Sequence, residues 1–302
     1  MWFFNEEHKL LKKTVRDFSN AVLAPQIDHL DETEGYDRNY FKQLGGLGLL
    51  GITAAEEYGG TSMGCAAATI AMEEIGAVDA STALSYLAHS ILFVNNLATN
   101  GSQEQRHRYL PKVISGQWIA GMAMTEANAG SDALAMRTRA IKKGNKYILN
   151  GTKMFITNAV IGDVFYVYAR TGNGKKDIST FIVESTFPGF KMGRKLKKMG
   201  MRASPTGELV FENCEVPVEN LVGKEGDSVT HMMKNLDIER ITISGISLGL
   251  ARASVESAVK YAKEREQWGK PIAELQMIQS MLAEGCAEYE AAAHYVYSAA
   301  QM

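Results

Sequence analysis

Two short stretches carry residue types that could hold a ligand. Met124-Thr125-Glu126-Ala127-Asn128-Ala129-Gly130-Ser131-Asp132 is small and polar, and apolar residues from Ala120 to Met124 lead into it. Few side chains stand in front of such a backbone, so its N–H groups can approach a ligand closely. Lys153-Met154-Phe155-Ile156-Thr157-Asn158 reads as a strand in which an aromatic ring precedes a threonine hydroxyl by two positions. Together the two stretches could offer a flat ligand a ring to lie against and short polar groups for its edge. The same residues equally fit a tight turn beside a buried strand.

Glu239 is the third feature. At helical spacing it shares a face with Ile243, Ile246 and Leu250, and Leu236 lies one turn before it. A carboxylate on an apolar stripe is costly to bury charged, so desolvation would raise its pKa, which suits a general base. Asp237 and Arg240 are spaced to pair with each other. The plainer reading is a first-turn glutamate stabilised by the helix dipole.

Composition narrows the function classes. The net charge is −2, so the basic excess of a nucleic-acid-binding protein is missing. With 46% hydrophobic and 22% charged residues, the chain has the balance of a globular protein. Cys65, Cys214 and Cys286 are too scattered for a disulfide framework or a cysteine zinc site, and a reducing compartment is expected. The six histidines show no HxxxH or HxxEH spacing, so no metal is expected. No GxSxG elbow is present, which argues against an α/β-hydrolase. No apolar run reaches the roughly eighteen residues of a membrane span. The start lacks a signal peptide's basic and apolar regions, so the expected location is the cytoplasm, or the mitochondrial matrix if the chain is eukaryotic and processed.

The elements that must position these residues fall into three groups. Residues 1–119 read as a helical domain. Asn5 caps a helix bearing Leu11, Val15, Phe18 and Val22, which Pro25 closes. Further helices are expected at 39–44, 65–75, 80–99 and 103–114. Residues 120–225 read as an antiparallel β domain. Lys146–Leu149 and Thr152–Ile156 flank Asn150-Gly151, a strong hairpin signal, and strands are expected at 163–170, 178–184 and 208–212. Residues 226–302 return to helix, with a long one from about Asp227 to Glu266 and another from about Ile272 onward. The fold class is therefore α+β.

Two further patterns invite over-reading. Gly46-Leu47-Gly48-Leu49-Leu50-Gly51 matches GxGxxG, with Glu73 and Glu74 following at a suggestive distance. It follows helix instead of strand, so a turn between helices is the better reading. The basic run Lys191, Arg194, Lys195, Lys197, Lys198 and Arg202 reads as a solvated strand-and-turn surface, or as a landing place for coenzyme A phosphates or an acidic partner.

The chain resembles the acyl-CoA dehydrogenases, most closely their isovaleryl-CoA branch. The resemblance lies in the two stretches above, in Glu57-Tyr58-Gly59-Gly60, Leu110-Pro111-Lys112 and Gly200-Met201-Arg202, and in Leu236-Asp237-Ile238-Glu239-Arg240 and Arg265-Glu266-Gln267-Trp268-Gly269. It implies a helical domain, a middle β domain and a C-terminal helical bundle, the last incomplete here. It also implies FAD as cofactor, an acyl-CoA substrate, electron-transferring flavoprotein as acceptor and a homotetramer. Glu239 would be the catalytic base. Met122, Met124, Thr125, Gly130 and Ser131 would meet the flavin edge, with Phe155, Ile156 and Thr157 beside the ring. Phe155 stands where many members have tryptophan, and Thr157 resembles the hydroxyl near flavin N5. Arg265, Gln267, Trp268 and Gln276 resemble contacts to the ADP side of a neighbouring subunit's cofactor.

For the substrate, the resemblance implies contacts from Ser131, from Asp237 and Arg240 near the CoA moiety, and from Leu84, Ala88 and Leu92 along one helical face. Leu87 replaces an expected small residue, and Thr230 stands in place of a tyrosine. The expected reaction is α,β-dehydrogenation of a short, branched acyl-CoA. The alternatives are a different chain-length preference, a non-catalytic acyl-CoA-binding relative and an acyl-CoA oxidase. Family chains continue beyond the position of Met302, so residues 1–302 alone are expected to hold flavin weakly.

Overall fold

A computed structural model describes residues 4–302. The chain divides into two compact units: Asp28–Gly64 with Leu84–Glu239, and Met1–Ile27 with Cys65–Ala83 and Arg240–Met302. We call them the β unit and the helical unit. The helices are α1 (Glu6–Phe18), α2 (Ile27–Thr33), α3 (Asn39–Gly46), α4 (Gly64–Gly76), α5 (Ala80–His89), α6 (Asn96–Asn100), α7 (Gln103–Ile114), α8 (Ser228–Glu264) and α9 (Gln276–Gln301).

The β unit holds an eight-stranded sheet among the described residues. Its strands are β1 (Ala120–Ala123), β2 (Arg139–Lys143), β3 (Lys146–Thr157), β4 (Val164–Arg170), β5 (Ile178–Glu184), β6 (Phe190–Lys195), β7 (Thr206–Pro217) and β8 (Leu221–Val222). The order is β6-β7-β3-β2-β4-β5-β8, with β1 on β4. Pairing is mainly antiparallel; β1 runs parallel to β4, and β2 touches β4 in parallel at Arg139 and Arg170. Strand β4 explains why its sequence is one continuous apolar run. Val164, Tyr166 and Tyr168 enter one core, with Phe93, Val94 and Leu110, while Phe165, Val167 and Ala169 enter another, with Leu149, Phe211 and Val216. A strand buried on both faces has no polar side to alternate with.

The hairpin expected at Asn150-Gly151 does not form. Residues 146–157 make one strand, and Gly151 sits at a register shift against β7, with φ 151°. A Cβ there would lie 2.4 Å from the Thr138 hydroxyl oxygen. Across the irregularity, Asn150 Oδ1 accepts the Asn213 N–H at 2.9 Å, and Asn213 itself has φ 52°. The partner strand satisfies the Asn-Gly pair as a bulge, which outweighs its local turn preference. The chain instead reverses between β2 and β3, where Gly144 has φ 62°.

In the helical unit, Asn5 caps α1 as expected, its Oδ1 accepting the His8 N–H at 2.8 Å. Val15 and Phe18 are buried, but a π turn at Ser19–Leu23 adds a residue to the cycle and buries Leu23 in place of Val22. Pro25 does not close the segment. It lies in the 3₁₀ stretch Ala24–Gln26, and the chain continues into α2. Proline is tolerated in the first turn of such a new segment, where its missing N–H has no partner to lose. The apolar core joins Ile70, Leu248, Ala293 and Tyr297. α8 approaches α4 through Gly245 and Gly249: a Cβ on Gly249 would lie 2.3 Å from the Glu73 carbonyl oxygen.

Candidate functional site

The loop after β1 is closed at its base by reciprocal hydrogen bonds between Glu126 and Ala129, both 3.1 Å. Beyond that bridge Gly130 and Ser131 are exposed, and nothing lies within 4 Å of the position a Gly130 Cβ would take. Met122 and Met124 pack against the helix-covered core, and Thr125 is half-buried. The loop is bound to β3: the Met154 N–H donates to the Thr125 carbonyl at 2.9 Å.

At that point β3 carries a bulge, with the register slipping between Lys153 and Ile156. Phe155 takes φ 59° there. A regular strand would send residues 153, 155 and 157 to one side. The bulge breaks that rule, a common device beside functional sites. The Lys153 side chain is fully buried, whereas Phe155 is 61% exposed. Ile156 is buried and Thr157 half-buried. An aromatic ring held outward on a strained backbone, next to an open loop, is the feature a planar heterocycle would cover.

One side chain ties three parts together. Asn158, with φ 66°, donates through Nδ2 to the Ala120 carbonyl at 2.9 Å and to the Ser85 carbonyl at 3.0 Å. It joins the end of β3 to β1 and to α5, the helix that carries Leu84. His89 repeats the link: Nδ1 accepts the Ala120 N–H at 3.0 Å and Nε2–H donates to the Val113 carbonyl at 2.9 Å. Full burial pushes its pKa down to about 4, against a weaker opposing effect of the Val113 carbonyl, so the ring is neutral.

The apolar face holds Ala88 buried, with Leu84 and Leu92 half-buried, and Leu87 is enclosed. Leu92 lies in a π turn, Ser90–Asn95, between α5 and α6, so the regular helix expected over 80–99 is interrupted. Asn95 Nδ2 donates to Asn235 Oδ1 at 3.0 Å. Asn235 is one helical turn before Glu239 on α8, so this bond joins the Leu92 segment to the face bearing Glu239. Glu239 is half-buried, Asp237 exposed, and Leu236 packs against the same core as Met122 and Met124. The β unit thus contains the loop, the bulge, the apolar helix and Glu239.

Comparison with known proteins shows the family. Family models for the acyl-CoA dehydrogenase N-terminal, middle and C-terminal domains match residues 5–117, 121–214 and 227–302. The mitochondrial isovaleryl-CoA dehydrogenase of Pongo abelii is 43% identical over 98% of this chain and 72% of its own. The chain belongs to the acyl-CoA dehydrogenase family. Among solved structures, butyryl-CoA dehydrogenase of Megasphaera elsdenii superposes with TM-score 0.95 at 35% identity, covering 98% of this chain and 79% of that one. A chain from the structure described as the electron transferring flavoprotein of Acidaminococcus fermentans gives 0.97 at 39% identity, covering 100% and 80%. Acyl-CoA dehydrogenases are FAD-dependent oxidoreductases, and this chain is an FAD-dependent acyl-CoA dehydrogenase with acyl-CoA as substrate. No helix among the described residues is long and apolar enough to cross a membrane.

The remaining residues that the family resemblance singles out lie in the helical unit. Arg265, Gln267 and Trp268 belong to an exposed hairpin, β9 (Glu266–Gln267) and β10 (Lys270–Pro271). Trp268 and Gly269 form its turn with φ 51° and 76°, the pattern of a two-residue type I′ connection, and leave the indole 85% exposed. Gln276 opens α9 and is exposed; Arg240 is exposed on α8. The basic run is largely a paired surface: Lys191 meets Glu212, Arg194 meets Glu208, and Arg202 meets Asp31 and Glu34. The GxGxxG run is a turn after α3, with Gly48 at φ 74° and Gly51 against Gly60.

Sequence reasoning did not single out Asn158, His89, Asn95 and Asn235, whose side chains tie these candidate segments together. For Asn235 a signal existed: a polar residue among Met232 and Leu236 is the same pattern that drew attention to Glu239.

Proposed function

We propose that this acyl-CoA dehydrogenase desaturates a short, branched acyl-CoA of the isovaleryl type, with Glu239 as the base that removes the α-proton. The outward Phe155 ring on its bulge, beside the open loop 124–132, carries the reading that flavin binds here. Bound flavin supplies the acceptor for the β-hydride. Phe155 would lie against its ring, with the loop from Met122 to Ser131, Thr125 above all, along its edge and Thr157 near N5. Glu239, on a half-buried helical face joined through Asn235 and Asn95 to the Leu92 segment, would hold its carboxylate over the α-carbon. Leu84, Ala88 and Leu92 would enclose the acyl chain, and the enclosed Leu87 next to them favours a narrow pocket. Ser131, Asp237 and Arg240 would contact the thioester and CoA portions. Arg265, Gln267, Trp268 and Gln276 are proposed to reach a neighbouring subunit's cofactor in a homotetramer. Electron-transferring flavoprotein is the proposed acceptor.

The visible spectrum tests the core of this reading. Isovaleryl-CoA should bleach the flavin of the wild type. Glu239→Gln keeps shape but removes the base, so reduction should slow by about a hundred- to ten-thousandfold while flavin stays bound. Near wild-type reduction would exclude Glu239 as base. Isovaleryl-CoA should exceed octanoyl-CoA in kcat/KM by about ten- to hundredfold, the range open to an apolar pocket. Equal values would reject the branched-chain assignment.

A further inference from the structure

Lys153 and Glu126 have no part in the chemistry just described, yet they meet between the two ligand-facing pieces. The Lys153 ammonium donates to the Met124 carbonyl at 2.8 Å and to Glu126 Oε1 at 2.9 Å, and lies 3.7 Å from the Met136 sulfur. Its side chain is fully buried and that of Glu126 nearly so. Glu126 also accepts the Arg137 N–H at 2.6 Å and the Thr138 N–H at 2.9 Å. Three segments, 124–126, 136–138 and 153, therefore converge on one ion pair.

We propose that the Glu126–Lys153 pair is the positioning element of the flavin site, fixing the edge loop 124–132 and the Phe155 bulge in one register. The inference rests on the flavin reading above. Lys153 is the last residue paired before the bulge, and its inward side chain is the counterpart of the outward Phe155 ring. A left-handed φ on a bulky residue persists only where its surroundings over-determine it. The pair supplies that constraint from one side, and the Met154–Thr125 hydrogen bond continues it on the next residue. Stability alone is a poor reason to bury such a pair, because apolar residues of equal volume often serve as well. A fixed geometry between loop and bulge is something apolar residues do not specify. Glu126 and Lys153 are thus positioning residues that act through the loop and Phe155.

The test uses the holoenzyme and compares Lys153→Met, Glu126→Gln and the double variant with wild type. The readouts are thermal melting, the FAD dissociation constant, the visible circular dichroism of bound flavin, and kcat and KM with isovaleryl-CoA. Each single variant leaves a buried group unmatched and should both melt earlier and bind FAD at least tenfold more weakly. The double variant leaves no buried charge there. It should regain most of the melting temperature while the flavin dichroism stays altered and kcat stays at least tenfold low at little-changed KM. A double variant that recovers both stability and dichroism overturns the proposal, as do single variants with wild-type FAD affinity and dichroism. If the single variants fail to fold, the double variant decides alone. Phe155→Ala separates the two levels: unchanged dichroism there rejects the flavin site itself, whereas changed dichroism with silent pair variants rejects only the positioning role.

Discussion

Glu126 in the β unit and Glu73 in the helical unit are both buried carboxylates, and they are stabilised by different means. Glu126 meets one cation and two backbone N–H groups, all contributed by a short stretch of chain between residues 126 and 153. Glu73 meets Lys12 at 3.2 Å, Arg252 at 3.0 Å and the hydroxyls of Tyr289 and Tyr297. Its neighbour Glu74 adds Arg16 at 2.8 Å and shares Arg252 at 2.9 Å. In both cases burial works to raise the carboxyl pKa and is outweighed: by Lys153 and the Thr138 and Arg137 donors at Glu126, and by Lys12, Tyr297 and Arg252 at Glu73. Both therefore stay ionised at neutral pH. The first network orients a loop; the second joins α1, α4, α8 and α9 into one bundle.

Removing the hub of the helical network should have the largest effect on stability. Glu73→Leu would leave Arg252, Lys12 and two tyrosine hydroxyls short of a partner. It should cost about 3 to 5 kcal/mol in urea unfolding. A loss below about 1 kcal/mol would mean that Glu74 alone can hold the four helices.

Acid should separate the units next. His89 belongs to the β unit, and its folded pKa lies near 4 against 6.5 for an unperturbed histidine. Between those values the unfolded chain binds a proton that the folded chain refuses, so stability falls as pH drops through 6.5 toward 4. The loss should be roughly 2 kcal/mol at pH 5. The lowered carboxyl pKa values of Glu126 and Glu73 act further down: their contributions are present above about pH 4.5 and are lost below it. Urea titrations at pH 7 and pH 5 should show the first loss in wild type and a smaller one in His89→Gln. Equal losses would show that the His89 ring is not what responds.

The smallest effect is expected where a charge pair is exposed. Lys191 and Glu212 are 2.6 Å apart with both side chains about three-fifths exposed. Lys191→Ala should change stability by no more than about 0.5 kcal/mol. A larger change would mean that the basic strand β6 has a structural task the buried networks do not cover.

What could be read from sequence followed from local rules. The Asn5 cap, the helical periods of α1 and α8 and the apolar runs of β4 and β5 each depend on neighbours close in the chain. The GxGxxG run has no flanking strand in its sequence, and in the structure it is a turn after α3. The errors arose where a distant partner overrode a local preference. Asn150-Gly151 is a turn signal in isolation and a bulge beside Asn213. Val22 fits the helical face until the π turn exchanges it for Leu23. Pro25 marks an end only if the preceding helix is regular. Pattern singled out Glu239 and the stretches 124–132 and 153–158 as candidates, but not the side chains that tie them to the rest of the fold.

The sequence by itself determined the family, through ordered blocks spread along the chain, together with the α+β class and the residue types available for chemistry. These are properties of order and composition, and no coordinates are needed to see them. The tertiary structure alone decided that Lys153 turns inward while Phe155 turns outward, and that Asn158 joins β1, β3 and α5. It also decided that Asn95 links the Leu92 segment to the helix of Glu239. Each of these depends on which backbone groups remain unpaired once strands and helices have packed. That balance is set by contacts between residues far apart in the chain, where period and propensity carry no information.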